Sequence, residues 1–315
     1  MKRRNLILTA VAAAASALVV GCGGTDDISS APTLDIVQLA QGNPDLSILV
    51  EAVVAAGLAT TLKGTGPFTV FAPTNAAFAA LLAELSLTKA QLLANIPLLT
   101  TVLTYHVVAG KVQKANIPLG KAITSVETSI FKIDSVGGNV LITDGRNRTS
   151  TITATDIQAT NGVVHVIDKV ILPADKNIVQ TAVALAPEFS TLVAAVTAAG
   201  LGPTLSGTGP FTVFAPTNAA FAAALIELGI SQAALLADTV LLTKILTYHV
   251  VSGRVLKADV PINTPITTVQ GETLSIDASL VITDRRARTA NIATTDVLTS
   301  NGVIHVVDKV ILPAP

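Results

Sequence analysis

Tryptophan is absent from these 315 residues, tyrosine occurs twice, and aromatic residues together make up 3% of the chain. Stacking-type sugar clefts and single-strand nucleic-acid grooves rely on platforms of such side chains, so a chain this poor in them fits neither. Charge is scarce as well: Asp, Glu, Lys and Arg supply 13% and nearly cancel, leaving a formal net charge of −1. With no basic surplus there is no general pull toward a phosphate backbone, and nucleic acid is excluded as a partner class. A single cysteine, Cys22, rules out an internal disulfide. The His-Glu-x-x-His helix motif, the Gly-x-Ser-x-Gly elbow, the Walker loop and the Gly-x-Gly-x-x-Gly fingerprint are all missing. What is present is a half-apolar chain long enough for about two domains, each with its own core.

The N-terminus has the order of a secretory signal: the basic start Met1-Lys2-Arg3-Arg4, an apolar run from Leu6 to Val20, then Gly21-Cys22-Gly23-Gly24. That run is short for a membrane span. Leu18-Val19-Val20-Gly21-Cys22 resembles the bacterial lipobox, with Val19 where Leu is usual. The resemblance implies that Cys22 is lipidated and becomes the first residue of the mature chain. One acyl chain holds only marginally, and the several chains of a bacterial lipoprotein meet the requirement for stable anchoring. Gly23, rather than Asp, after the cysteine implies the outer membrane if the cell has two membranes, and otherwise the outer face of the cytoplasmic membrane. Residues 1–22 are therefore assigned to the signal. Residues 23–32, with Asp26, Asp27, Ser29, Ser30 and Pro32, form a polar tether.

Beyond the tether the chain says everything twice. Residues 64–80, from Gly64-Thr65-Gly66-Pro67 through Phe78-Ala79-Ala80, recur unchanged at 207–223. Asn161-Gly162-Val163-Val164-His165-Val166-Ile167-Asp168-Lys169 returns as Asn301-Gly302-Val303-Ile304-His305-Val306-Val307-Asp308-Lys309. The second copy is shorter by three residues between Thr124 and Leu141. A period this long means tandem domains rather than a solenoid, with boundaries expected at 33–174 and 175–315.

Local signals give each copy an α+β character. Leu46, Leu49, Val50 and Val53 keep helical spacing, and Gly57 is placed to close that helix in the left-handed region. Phe68 to Ala72 reads as a short strand, Pro73 ends it, and Thr74 can cap a helix whose stripe is Phe78, Leu81, Leu82 and Leu85. Leu99, Val102, Leu103 and His106 form another stripe, which puts His106 on the buried side at a helix end. Val140 to Asp144 and Thr149 to Ala154 read as a hairpin, and Asn161-Gly162 as the turn before a strand over 163–172. Helices followed by antiparallel strands are expected.

Thr69-Val70-Phe71-Ala72-Pro73-Thr74-Asn75 and its copy at 212–218, the Tyr-His dipeptides Tyr105-His106 and Tyr248-His249, and the Asn-Gly-Val segments stand in one order in both copies. In that order and spacing the chain closely resembles the fasciclin domain, twice over, across residues 33–315. The resemblance implies two tandem domains, each a β-sandwich-like wedge with a cluster of helices. It also implies adhesion by surface-anchored modules, without settled enzymatic activity. Ala109 and Ser252 depart from it, standing where many members carry Pro. The same resemblance implies partner contacts at the Tyr-His element (Tyr105, His106, Tyr248, His249) and at an Asp-Ile pair before the second box, matched by Asp156-Ile157 and Asp296-Val297.

From the residues themselves, His106 and His249 read as internal struts. Tyr105 and Tyr248, one position off the apolar stripe, read as phenols that bury a ring and keep the hydroxyl wet. Each copy offers two histidines on separate elements and no cysteine beyond the tether, too few ligands for zinc, so no metal and no cofactor are expected. His165 and Asp168 point to opposite faces of a strand and do not make a dyad. Asp144-Gly145-Arg146-Asn147-Arg148 and Asp284-Arg285-Arg286-Ala287-Arg288 gather guanidinium groups on matching loops. The alternative function is therefore a structural envelope protein that grips an anionic wall or periplasmic polymer through Arg146, Arg148, Arg285, Arg286 and Arg288. The leading expectation is a non-catalytic module, lipid-anchored to the membrane, that binds a cell-surface or matrix protein or polysaccharide. Two similar faces would then act together by avidity.

Overall fold

The computed structural model describes residues 31–315; the signal, Cys22 and the tether up to residue 30 lie outside the described residues. The first repeat runs α1 (Ile36–Gln41), α2 (Ser47–Ala55), α3 (Ala59–Leu62), β1 (Phe68–Pro73), α4 (Asn75–Leu85), α5 (Lys89–Ala94), α6 (Ile96–Tyr105) and β2 (Val107–Ala109). It continues through β3 (Ala122–Thr124), β4 (Ile130–Val136), β5 (Asn139–Thr143), β6 (Thr149–Ala159) and β7 (Gly162–Ile167). The sequence signals hold where they are local. Gly57 takes φ +70 and Leu58 N–H reaches back to the Val53 carbonyl, closing α2. Thr74 accepts from Ala77 N–H and starts α4.

The sheet corrects the expectation of antiparallel strands. Its order is β2-β1-β7-β6-β5-β4-β3, and β1 and β7 pair in parallel near one end while every other pair is antiparallel. β1 precedes α4–α6 in the chain yet is sandwiched between β2 and β7, buried from Thr69 to Pro73. That fits its nearly continuous apolar run, the signature of a strand covered on both faces. The expected strand over 163–172 ends at Ile167, because Asp168 turns aside to accept from Thr151 N–H.

Two apolar cores lie on opposite faces of this sheet. On the helix side, Leu49, Val53, Phe78, Leu81, Leu99 and Leu103 pack against Val70, Ala72 and Val164. On the other side the sheet curls over itself and encloses Phe71, Tyr105, Phe131, Ile133, Ile142 and Ile167. The Phe71 and Phe131 rings, from β1 and β4, meet edge to face at 5.3 Å, which measures that closure.

The second repeat repeats the order: α7 (Ile178–Ala184), α8 (Ala186–Ala198), α9 (Gly202–Leu205), β8 (Phe211–Pro216), α10 (Asn218–Leu228), α11 (Gln232–Ala237), α12 (Thr239–Tyr248) and β9 (Val250–Ser252). Then follow β10 (Ile266–Thr267), β11 (Thr273–Ile276), β12 (Val281–Thr283), β13 (Thr289–Thr299) and β14 (Gly302–Val307), in a sheet of the same topology. No helix among the described residues is long and apolar enough to cross a membrane.

Candidate functional site

The Tyr-His element sits where α6 runs into β2, and neither of its side chains faces solvent. Tyr105 is 0% exposed: its hydroxyl donates to the Ile130 carbonyl (2.7 Å) and accepts from Gly145 N–H (2.9 Å). Tyr248 does the same with the Thr273 carbonyl (2.9 Å) and Arg285 N–H (3.1 Å). Burial, with the Asp144 carboxylate beside it, pushes the Tyr105 phenol up; burial pushes that of Tyr248 up to about 12. The expectation of wet hydroxyls is therefore overturned. The helical stripe of Leu99, Val102 and Leu103 belongs to the helix-side core, whereas Tyr105 enters the core inside the curled sheet. Being off the stripe meant facing a second interior, not solvent. Tyr105→Phe leaves a buried carbonyl and a buried N–H unpaired, so a loss of about 1–3 kcal/mol in urea denaturation is expected. An unchanged midpoint would show that the phenol is not a tie.

His106 Nδ1 lies 2.7 Å from the Val102 carbonyl, and its Nε2 lies 3.1 Å from Ile171 N. A carbonyl only accepts and an amide N–H only donates, so Nδ1 carries the proton and the ring is neutral. Burial lowers the His106 and His249 pKa values to about 4. His249 bridges the Ile245 carbonyl and Ile311 N–H in the same way. His165 Nε2 donates to the Val112 carbonyl (2.9 Å) and Nδ1 accepts from Asp156 N–H (3.3 Å); His305 repeats this with Val255 and Asp296. All four imidazoles thus have both nitrogens on backbone. Among the described residues, no group of three or more His, Cys, Asp or Glu could hold a metal ion.

The Arg-bearing loop is organised by an acid that sequence reasoning passed over. Asp144 is 1% exposed and receives five hydrogen bonds, from Arg146 N–H, Arg148 N–H, Arg148 Nε and Nη2, and Leu172 N–H. Arg148 also spans to Glu84 (2.7 Å) and the Val170 carbonyl (2.9 Å). Asp284, Arg288, Glu227 and Val310 reproduce the hub. Arg286 donates to the Pro313 carbonyl, Arg146 pairs with Asp175 at 3.4 Å, and Arg285 is the more open one, 3.6 Å from Glu272. The expected polymer grip is thus corrected at its centre: Arg148 and Arg288 are committed inward.

Between the repeats lies a contact surface that no motif announced. Ile130 of β4 packs with Leu256, Leu298 and Val303 of the second repeat. Lys132 Nζ reaches Asp296 Oδ2 at 2.9 Å and Asp134 at 3.1 Å. Burial works against the Lys132 charge, but the two carboxylates outweigh it and leave its pKa raised. Asn147 donates to the Leu298 carbonyl (3.0 Å) and accepts from Leu298 N–H (2.6 Å). Lys121 pairs with Asp259 at 3.5 Å. Asp296, expected to face a partner, is 4% exposed and faces the first repeat. Ile157 and Val297 lie half-buried against the helix-side cores rather than outward. The two Asp-bearing faces are therefore not equivalent: one is covered and one is open, which corrects the expectation of two matched contacts.

The missed residues did leave a signal, in the differences between the copies. Ile130, Lys132 and Asn147 correspond to Thr273, Ser275 and Ala287, while Leu256 and Leu298 correspond to Gln113 and Gln158. Five residues of the junction, three from the first repeat and two from the second, are replaced in the other copy by residues of different size or charge.

Residues 44–173 and 187–313 each match the family model of the fasciclin domain. Transforming growth factor-beta-induced protein ig-h3 of Sus scrofa is 33% identical over 257 residues, 80% of this chain and 35% of that protein. The chain thus spans about a third of the length of that relative. An uncharacterized protein of Synechocystis sp., sll1735, is 44% identical over 138 residues, 44% of this chain and 97% of its own length. The FAS1 domain pair of the insect cell adhesion molecule fasciclin I aligns over 86% of this chain and 98% of that one, with a TM-score of 0.42 and 19% identity.

Proposed function

We propose, from the premise that this chain belongs to the fasciclin domain family, that it is a non-catalytic adhesion or matrix-binding module held at the cell envelope by a lipid on Cys22. Its domains run over 33–174 and 175–315, behind a tether of residues 23–32. The observation that carries the reading is the disposal of its reactive side chains. All four histidines and both tyrosines are closed into hydrogen bonds with backbone. Side chains so engaged hold a scaffold together and, among the described residues, leave no imidazole nitrogen free to act as a base.

What the first repeat still offers to a partner is the outer edge of β6 around Asp156, half-buried and uncovered by the second repeat. A protein kept at a surface needs only modest affinity there, since neighbouring anchored copies engage together. Changing Cys22 to Ser tests both halves of the reading. The variant is expected to leave the membrane fraction while still binding cells or matrix fractions. Persistent pelleting with membranes sinks the anchor, and absence of binding to every fraction sinks adhesion.

A further inference from the structure

The chain builds the same contact surface twice and covers it once. In the second repeat the surface is the irregular stretch of β13, where Asp296 receives Lys132 and the Leu298 backbone receives the Asn147 carboxamide. In the first repeat β6 carries the same irregularity. Asp156 takes φ +62 where Asp296 takes +60, and its Oδ1 accepts from Lys114 N–H just as Asp296 Oδ1 accepts from Lys257 N–H. Among the described residues, no Lys or Arg lies within ion-pair distance of Asp156. β5 pairs with β6 only at Thr149–Thr151, so the outer edge at Gln158 has no strand beside it. Gln158 stands opposite Val163 as Leu298 stands opposite Val303.

The side chains around this edge have been altered in a way that fits intermittent occupancy. The leucines that hold Ile130 are glutamines here, Gln113 and Gln158, both half-buried. An uncovered leucine pair would leave an apolar patch, whereas the glutamines keep the empty surface polar, with Gln158 Nε2 donating to the Asp156 carbonyl (2.9 Å), and have amide groups left for a partner. A second copy of this chain does not supply the filling. Its free hairpin presents Thr273, Ser275 and Ala287 in place of the apolar knob, the ammonium and the carboxamide.

We propose that the β6 edge of the first repeat docks a hairpin or loop of a different protein, one that sets an ammonium or guanidinium group on Asp156 and a carboxamide against the Gln158 backbone. This rests on the adhesion reading only in naming a surface for it. The junction within the chain is the template: an acid, a short open edge and a polar rim, met by a cation and an amide.

The chain itself provides the probe. Thr273→Ile, Ser275→Lys and Ala287→Asn together place the missing groups on the free hairpin of the second repeat. All three positions are half-buried or exposed, and Ala287 already has φ +57, where Asn is better tolerated than Ala. In sedimentation of the unlipidated chain from Gly23 onward, the wild type is expected to be monomeric. The triple variant is expected to self-associate head to tail at least about tenfold more tightly, and adding Asp156→Lys should abolish it. A triple variant that melts like the wild type and stays monomeric overturns the docking edge. Wild-type self-association lost on Asp156→Lys overturns the choice of a foreign partner in favour of a second copy. Ser275→Lys alone gives the same reading should the triple variant fold poorly. Binding to cells or matrix that survives Asp156→Lys overturns this edge as the adhesive surface and leaves adhesion standing; loss of that binding with an unchanged melting temperature supports both.

Discussion

Asp144→Ala is expected to cost about 3–5 kcal/mol, the penalty typical of removing one partner from a buried charge pair. The loss is large against a domain stability of about 5–15 kcal/mol. The carboxylate makes three kinds of tie, two within its own loop and one to a distant segment. It holds its own loop through Arg146 and Arg148 N–H, pins the Arg148 guanidinium, and fixes the segment after β7 through Leu172 N–H. Without it Arg148 keeps Glu84, which is exposed, and the Val170 carbonyl, but its Nε and one Nη2 contact lose their acceptor in a half-buried site. Asp144→Asn retains an acceptor at that place and should cost less. Urea unfolding followed by circular dichroism ranks the two, and an Ala variant as stable as the wild type would refute the hub. Asp284→Ala tests the second repeat, where the same bonds recur.

Acidification is the other large effect. Burial holds His106 and His249 at about 4 in the folded chain, against about 6.5 when free. Between those values the unfolded chain binds protons that the native chain refuses, so stability falls as pH falls through that window. The loss amounts to about 3 kcal/mol for each of these imidazoles and flattens below pH 4, where the native state also takes the proton. Burial moves His305 in the same direction. Denaturation midpoints at pH 7, 5.5 and 4 should therefore drop steadily, and His106→Gln with His249→Gln should flatten the slope from a lower starting stability. A wild-type midpoint unchanged from pH 7 to 4 would mean that these rings are not held neutral.

Much of the fold was legible because its signals are short-range. The Thr74 cap, the left-handed Gly57 and the stripe of α4 each depend on neighbours within a few positions. Sheet order was not legible. The parallel pairing of β1 with β7 joins residues 68–73 to 162–167, and nothing in either segment names the other. Gly162 carries a trace of it, since a Cβ there would collide with the Phe68 carbonyl.

The candidate site was legible only in half. His106 could be placed inside from its spacing. Tyr105 could not, because a helical stripe describes one interior and this helix ends between two. The arginines drew attention as charge, while the acid that binds them is a single residue of the same loop with nothing in its spacing to mark it. The junction residues were invisible one at a time and become visible when the copies are set side by side: Lys132 against Ser275, Leu298 against Gln158.

Where the first repeat begins, Asn161 makes a knot. Its side chain accepts from Ile36 N–H and donates to the carbonyls of Leu62 and Gly64, while Thr160 N–H holds the Leu34 carbonyl. Asn301 and Ser300 tie the start of the second repeat, at Ile178 and Lys176, in the same manner. Tension applied through residues 32–35 would therefore arrive at the turn between β6 and β7, next to the parallel β1–β7 pair. Load applied there would bear on side-chain bonds to two stretches of backbone, at Ile36 and at Leu62 and Gly64, ahead of the strands themselves, and the second repeat is buffered in the same way.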